Sequence, residues 1–500
     1  MTELREYQKR AINQLYDAIR NGSKRPLWVL PTGAGKSTVA SYFVKKCIEK
    51  EKRVLFFVHS KELVEQFADR LRNQFHVLSG VIMAGVTPDK SKLVQVASVQ
   101  TLARRDMPDA DVVIIDESHR SEASTYKKVV ENYPNAIIVG LTATPYRGDG
   151  KGLGNLFDAI VHPIRIRELI EMGHLVGTKV FVPKAHVDMA GVKTVAGDYD
   201  KKEMAERFSD SAIVRGVVEN YIKYASGKRA IVFNCNVEHS KEVTEEFLKN
   251  GINAAHLDGT TEKKDRTAII SAFRDGRINV LNNCFLFTEG FDVPACDVVI
   301  LNRATKSEGL YVQMVGRGLR PAPGKDSCIV IDHADNTMRF GFVEDYDLMD
   351  FSLEDRKKKR QREGEEIPKT KQCPECLGLV DYFKRECECG YEFPRKERKI
   401  TFGESQEFVA LDRDAVIIER LKNIPHSKSA KLPLSQLRLY ALLHKYKQGW
   451  WFHKAIDEHN LPVIKEHPDA FRQVAFQIQL AEVKDGVHDL YNQIKKIANG

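Results

Sequence analysis

The chain has 500 residues, too many for one compact domain at roughly 100–200 residues each, and its 42% hydrophobic and 29% charged side chains exclude a collagenous, low-complexity or wholly disordered protein. Seventy-seven basic against 69 acidic side chains leave a net charge of +8, which permits a polyanionic partner without requiring one. No apolar stretch approaches the ~20 residues of a bilayer-crossing helix. The polar start, Met1 to Arg10, is unlike a signal peptide, so the expectation is a soluble, cytoplasmic protein with no membrane partner.

Short apolar runs alternate with amphipathic stretches, a pattern that predicts βαβ units and a parallel sheet, and it occurs twice. In the first block strands fit 26–30, 53–58, 93–97, 111–116 and 136–141, with helical spacing between them, as in Val39, Ala40, Phe43, Val44 and Cys47. In the second, strands fit 230–234, 253–257, 278–282, 297–301 and 327–332, and two intervening helices each close on a glycine, Gly251 and Gly276. The expected fold class is α/β, with two tandem parallel-sheet domains over 1–170 and 211–350 joined by a segment over 171–210 that is hard to assign. A helical or flexible basic linker follows over 351–372, with six basic residues among the seven from Arg356 to Arg362. A four-cysteine knuckle over 373–395 comes next, and after residue 400 the pattern loses its strands and predicts a small α-helical domain over 400–500. Residues 352–500 carry 28 basic and 23 acidic side chains, so most of the positive excess lies there.

Leu30-Pro31-Thr32-Gly33-Ala34-Gly35-Lys36-Ser37-Thr38 follows the first strand and opens a helix, the setting a phosphate-binding loop needs. Glycines let backbone N–H groups turn toward phosphate oxygens, the helix N-terminus adds the positive end of its dipole, Lys36 reaches the β- and γ-phosphates, and Ser37 can ligate Mg²⁺. The strict pattern has Gly where Leu30 stands, and the variant seen here is the form of helicase-type ATPases; the bland alternative is an incidental glycine-rich turn. Asp116-Glu117-Ser118-His119 ends a buried strand in two adjacent carboxylates. Asp116 suits the Mg²⁺ shell and Glu117 suits orienting and deprotonating a water, although such a pair alone is more often a solvated loop. His119 is either a satisfied surface histidine or a coupling residue between the ATP and nucleic-acid sites.

Cys373, Cys376, Cys387 and Cys389 read as four thiolates around one structural Zn²⁺, the alternative being ordinary buried or reduced thiols. The surrounding residues mix cations (Lys384, Arg385, Arg395, Lys396) with acids (Glu386, Glu388, Glu392), so the knuckle is a surface against nucleic acid or an inert spacer. Tyr446 to Lys454 interleave aromatic and cationic side chains, as a base-stacking surface or a core would. The other cysteines, 47, 235, 284, 296 and 328, lie in or beside apolar runs and read as core.

Together these motifs resemble superfamily 2 helicases of the DEAD/DEAH-like group, here with Asp-Glu-Ser-His, over nearly all of residues 1–335. The resemblance implies two RecA-like domains, with ATP and Mg²⁺ at the site and Zn²⁺ in the knuckle. It implies that Arg5 and Gln8 belong to an adenine-reading motif, with Gln8 bonding the base, and that Thr142 and Thr144 couple hydrolysis to domain movement. Ser60, Lys61, Gln100 and Thr101 match positions that touch the nucleic-acid backbone. Phe287 to Pro294, with Thr288, Gly290 and Asp292, matches the motif that links nucleotide and strand. Gln313, Arg317 and Arg320 match Q-x-x-G-R-x-x-R, whose two guanidinium groups, a helical turn apart, face the γ-phosphate as arginine fingers; two solvated arginines on a surface helix are the bland alternative. With the linker, knuckle and tail, the chain is similar to RadD-like proteins and related phage-encoded helicases, most specifically over 307–336. The implied activity is ATP-dependent movement on single-stranded, forked or branched DNA in repair or recombination, in a bacterial or phage-infected cell, with a protein partner possible through the C-terminal region. RNA as the strand, and a DNA-binding accessory protein whose ATPase is a switch, stay open.

Overall fold

The computed structural model describes residues 3–102, 107–120, 131–147, 152–183, 187, 189, 191–195, 197–284, 296–347, 351–354, 370–372, 379–381, 408–411, 413–422, 432–444, 446, 450–451, 455, 470–485 and 487–499. The chain divides into two compact units, Met1–Asp355 with Gln406–Arg420, and Arg356–Ser405 with Leu421–Gly500.

The first unit holds two sheets, each the centre of a lobe. Strands β1 (Pro26–Val29), β2 (Val54–Val58), β3 (Gly80–Ile82), β4 (Val94–Ser98), β5 (Val112–Ile115), β6 (Ile137–Thr142) and β7 (Ala159–Val161) form a parallel sheet in the order β3-β4-β2-β5-β6-β1-β7. Every residue of β1, β2, β4 and β5 is buried, because helices cover both faces, and this is why these strands read as unbroken apolar runs. Leu27, Leu55, Phe57 and Val113 pack on one side, and Trp28, Phe56 and Ile114 on the other, with Phe43 and Val44 of the Lys36–Ile48 helix.

The second lobe begins with β8 (Gly177–Pro183), followed by the short antiparallel pair β9 (Thr194–Val195) and β10 (Asp198–Tyr199). Strands β11 (Ala230–Asn234), β12 (Ala254–Leu257), β13 (Val280–Asn283), β14 (Val298–Asn302) and β15 (Ser327–Asp332) complete its parallel core. The strands β16 (Thr370–Gln372) and β17 (Leu379–Asp381) pair antiparallel in the second unit, and β18 (Phe408–Leu411) returns to the first. The second sheet runs β12-β13-β11-β14-β15-β8-β18, with β18 antiparallel to β8. Helices Val237–Lys249 and Lys263–Arg274 end as the sequence predicts. Gly251 (φ +73°) and Gly276 (φ +76°) take the left-handed position, and the Ile252 and Arg277 N–H groups donate to the Phe247 and Ala272 carbonyls.

Two expectations change. The segment 171–210 contains β8, a member of the second sheet, and the tail expected to be helical contributes β18 to the same sheet. Both strands lie at one end of the sheet. Four apolar residues such as Phe408 to Leu411 carry no period that separates strand from helix.

The second unit contains the β16–β17 pair and helices that include Leu437–Leu443, Ala470–Lys484 and His488–Asn499. Glu482 is buried there between Arg438 (3.4 Å) and His488 (3.2 Å). Within the aromatic stretch of the tail, Trp451 is buried, and the half-buried Trp450 stacks on Tyr446 with ring centres 4.9 Å apart.

Candidate active site

In a parallel sheet the loops leaving the carboxyl ends of the strands gather at one edge. In the first lobe that edge carries the phosphate loop after β1, Thr142 at the end of β6, and Asp116-Glu117 after β5, on three successive strands. The loop turns through Gly33 (φ +87°) and Gly35 (φ +81°), values that favour glycine. A Cβ on Gly35 would also lie 2.7 Å from Gln8 Nε2. The loop then opens the Lys36–Ile48 helix, whose N-terminal N–H groups face where phosphate would sit.

Glu117 has left-handed backbone (φ +48°), a conformation a non-glycine residue holds at some cost and one that concentrates at functional sites. Its carboxylate accepts a hydrogen bond from Lys36 Nζ at 2.8 Å, and both side chains are nearly buried. Burial alone would raise the Glu117 carboxyl; the Lys36 ammonium, then His119 and Arg317, outweigh it and hold the group well below the ordinary carboxylate value. The Asp116 carboxylate accepts from the Glu117 N–H at 3.0 Å.

His119 is no isolated surface histidine. Its Nδ1 lies 3.0 Å from Thr142 Oγ1 and 3.5 Å from Glu117 Oε2, and its Nε2 lies 3.3 Å from Gln313 Nε2 in the second lobe. The Thr142 hydroxyl donates its proton to the Thr144 carbonyl (2.8 Å) and accepts from the Thr144 N–H (3.0 Å). The bond from His119 must therefore be donated by Nδ1–H, which leaves Nε2 to accept from the Gln313 amide. One ring thus connects the candidate general base, Thr142 at the end of β6, and the second lobe.

Thr32, Gly33, Gly35, Lys36, Ser37, Asp116 and Glu117 line a cavity of about 290 Å³ together with Gln313, Arg317 and Arg320. Against the sequence expectation of arginines on one helical turn, the Glu308–Gly316 helix stops at Gly316, and both arginines sit at and beyond its C-cap. Close packing sets that turn. A Cβ on Gly316 would lie 2.7 Å from Thr32 Cβ across the lobes, and one on Gly318 would lie 2.2 Å from Cys328 Sγ. Lys325 Nζ donates to the carbonyls of Arg320 (2.9 Å), Gly318 and Cys296, clasping the arginine turn from behind. Lys325 was not foreseen, and no motif flags it. Arg70 and Gln66, on the Lys61–Phe75 helix, line the same cavity and were also missed. Their only signal is polar residues four apart on a helix that buries Val64, Phe67, Leu71 and Phe75.

Of the remaining candidates, Gln8 accepts from the Arg5 N–H (3.1 Å) and donates to the Ala34 carbonyl (3.3 Å), which puts it against the phosphate loop. Strands β2 and β4 pair Val58 with Ser98, so the segments that follow them emerge side by side. Ser60 caps the next helix by accepting from the Leu63 N–H (3.3 Å), Lys61 and Gln100 are exposed, and Thr101 bonds the Ser98 hydroxyl (2.8 Å). Thr288, Gly290, Asp292 and the four knuckle cysteines lie outside the described residues. The five other cysteines are buried, and burial raises each thiol, Cys47 to about 12 and Cys284 and Cys296 to about 11, as suits core residues.

Residues 1–147 match the family described as type III restriction enzyme, res subunit, and residues 214–322 match the helicase conserved C-terminal domain. A 51.5 kDa protein of a Lactococcus phage is 32% identical over 440 residues, covering 86% of this chain and 94% of that one. The DNA 3'-5' translocase XPB2 of Sulfurisphaera tokodaii is 26% identical over 357 residues, covering 64% of this chain and 79% of its own. Of two fungal relatives, from Saccharomyces cerevisiae and Schizosaccharomyces pombe, this chain spans 51% and 58%. The fold is shared with the ATP-dependent type ISP restriction-modification enzyme LlaBIII bound to DNA, at a TM-score of 0.50 and 20% identity, over 66% of this chain and 28% of that one. With both helicase domains matched and a full-length relative at this identity, the chain belongs to the superfamily 2 helicases and is an ATP-hydrolysing enzyme built on two RecA-like lobes.

Proposed function

We propose that the protein is a DNA translocase or helicase that hydrolyses ATP between its two lobes and works on single-stranded, forked or branched DNA in repair or recombination. The observation that carries the reading is the single cavity lined by Lys36, Asp116 and Glu117 of one lobe and by Arg317 and Arg320 of the other. Incoming triphosphate competes for the Lys36 ammonium, which leaves Glu117. The released carboxylate orients a water and takes its proton, while Arg317 and Arg320 neutralise charge developing on the γ-phosphate. Ser37 and Asp116, oxygen donors lining the same cavity, would hold Mg²⁺, which supplies charge neutralisation at the phosphates. The His119 ring carries the state of Glu117 to Gln313, so that hydrolysis and lobe position change together. Ser60, Lys61, Gln100 and Thr101, at the carboxyl ends of β2 and β4, would grip the strand backbone, making affinity salt-dependent and largely blind to sequence. Thr288, Gly290 and Asp292 would link that grip to the nucleotide.

Cys373, Cys376, Cys387 and Cys389 would hold one structural Zn²⁺. In support, β16 and β17 pair antiparallel with Gln372 opposite Leu379, and the residues between them carry Cys373 and Cys376. A zinc content near zero in protein purified without chelators would remove this part of the reading.

The test is ATP hydrolysis and strand displacement measured side by side on single-stranded, forked and four-way DNA and on RNA. DNA should stimulate hydrolysis more than RNA and support displacement. Equal or greater stimulation by RNA overturns the DNA assignment, and stimulation by DNA without displacement identifies a switch.

A further inference from the structure

The nucleotide cavity contains a third guanidinium that none of the recognised motifs supplies. Arg70 lies in the last turns of the Lys61–Phe75 helix, lines the cavity beside Lys36, Ser37 and Asp116, and donates from Nη1 to the Thr38 hydroxyl at 3.3 Å. Thr38 stands two residues beyond Lys36, in the first turn of the phosphate-loop helix, where backbone N–H groups cradle the α- and β-phosphates. Arg317 and Arg320 line the cavity from the other lobe, and Arg317 acts electrostatically on Glu117, the candidate general base. Of the three arginines, Arg317 bears on Glu117, whereas Arg70 bonds Thr38 in the first turn of the phosphate-loop helix. The helix fixes Arg70 there because Val64, Phe67, Leu71 and Phe75 are buried on the lobe, and Phe67 stacks on Phe56 with ring centres 3.5 Å apart.

We propose that Arg70 is a nucleotide-binding residue that contacts the α-phosphate side of ATP and of ADP, exchanging its bond to Thr38 for phosphate oxygen. The proposal rests on the hydrolysis site described above. A guanidinium that touches ground state and transition state alike changes binding, whereas one that touches only the γ-phosphate changes turnover.

The experiment compares Arg70→Ala, Arg70→Lys, Lys36→Ala and the unaltered full-length chain, reading kcat and KM for ATP, and Kd for ADP by calorimetry, with a thermal melt of each. Arg70→Ala should raise KM for ATP and Kd for ADP together, each roughly tenfold, with kcat falling by less than KM rises. Arg70→Lys, which keeps the charge, should recover part of the ADP affinity. An ADP affinity in Arg70→Ala within twofold of the unaltered chain overturns the proposal. So does a lost affinity that lysine does not restore at all while both variants melt earlier by the same amount, since that marks a purely structural role. If Lys36→Ala still hydrolyses ATP, the underlying site is wrong instead, and the two failures are distinct.

Discussion

Glu117 and Lys36 hold each other at 2.8 Å, and their charges can be read in stability. Glu117 is held below its ordinary value of 4.5, so its contribution is fully present above that pH and is lost as pH falls through the lower folded value. Removing Lys36 takes away the largest influence that lowers it. Less then opposes the burial that raises it, so the carboxylate is less well compensated at neutral pH, a cost that protonation relieves. Lys36→Ala should therefore cost about 3 kcal/mol near pH 8, and the gap from the unaltered chain should narrow as pH falls below 4.5, as thermal melts across pH will show; a gap independent of pH contradicts the assigned pairing. These two residues were legible because a glycine loop and paired carboxylates each leave a fixed local signature. Arg70 and Lys325 leave none, since their roles come from what the fold sets opposite them: a threonine hydroxyl for one and three carbonyls for the other.

At the scale of elements, strands buried on both faces announced themselves as apolar runs, and helices ending in glycine announced their ends. Strands β8 and β18 did not. In β8 Val180 and Val182 are buried with the half-buried Phe181 between them, a period-2 signal too short to stand out. For β18 the partner lies far back in the chain, so pairing of Val409 with Val182 has no local trace. Without β18 the long β8 would present an unpaired edge to solvent. A chain ending after residue 400 should thus melt at least roughly 4 °C below one ending after residue 420, and equal melting would show that β18 adds nothing to the sheet.

Across the whole molecule, the positive excess, most of it beyond residue 352, only permits a polyanionic partner, and the reason for one comes from the motor. Its family was legible because each motif stands in order along two repeated α/β blocks. Their joint geometry was not: nothing in the sequence says that His119 bridges Glu117, Thr142 and Gln313, or that the end of the Glu308–Gly316 helix needs Gly316 to approach Thr32. In the proposed mechanism a residue of the second lobe completes a hydrolytic site in the first. Single-turnover hydrolysis by Arg317→Ala in the presence of DNA, alongside its ATP affinity, tests this most directly. Hydrolysis should fall about 1,000-fold with ATP affinity changed far less; hydrolysis at the rate of the unaltered chain would contradict a site shared between the lobes.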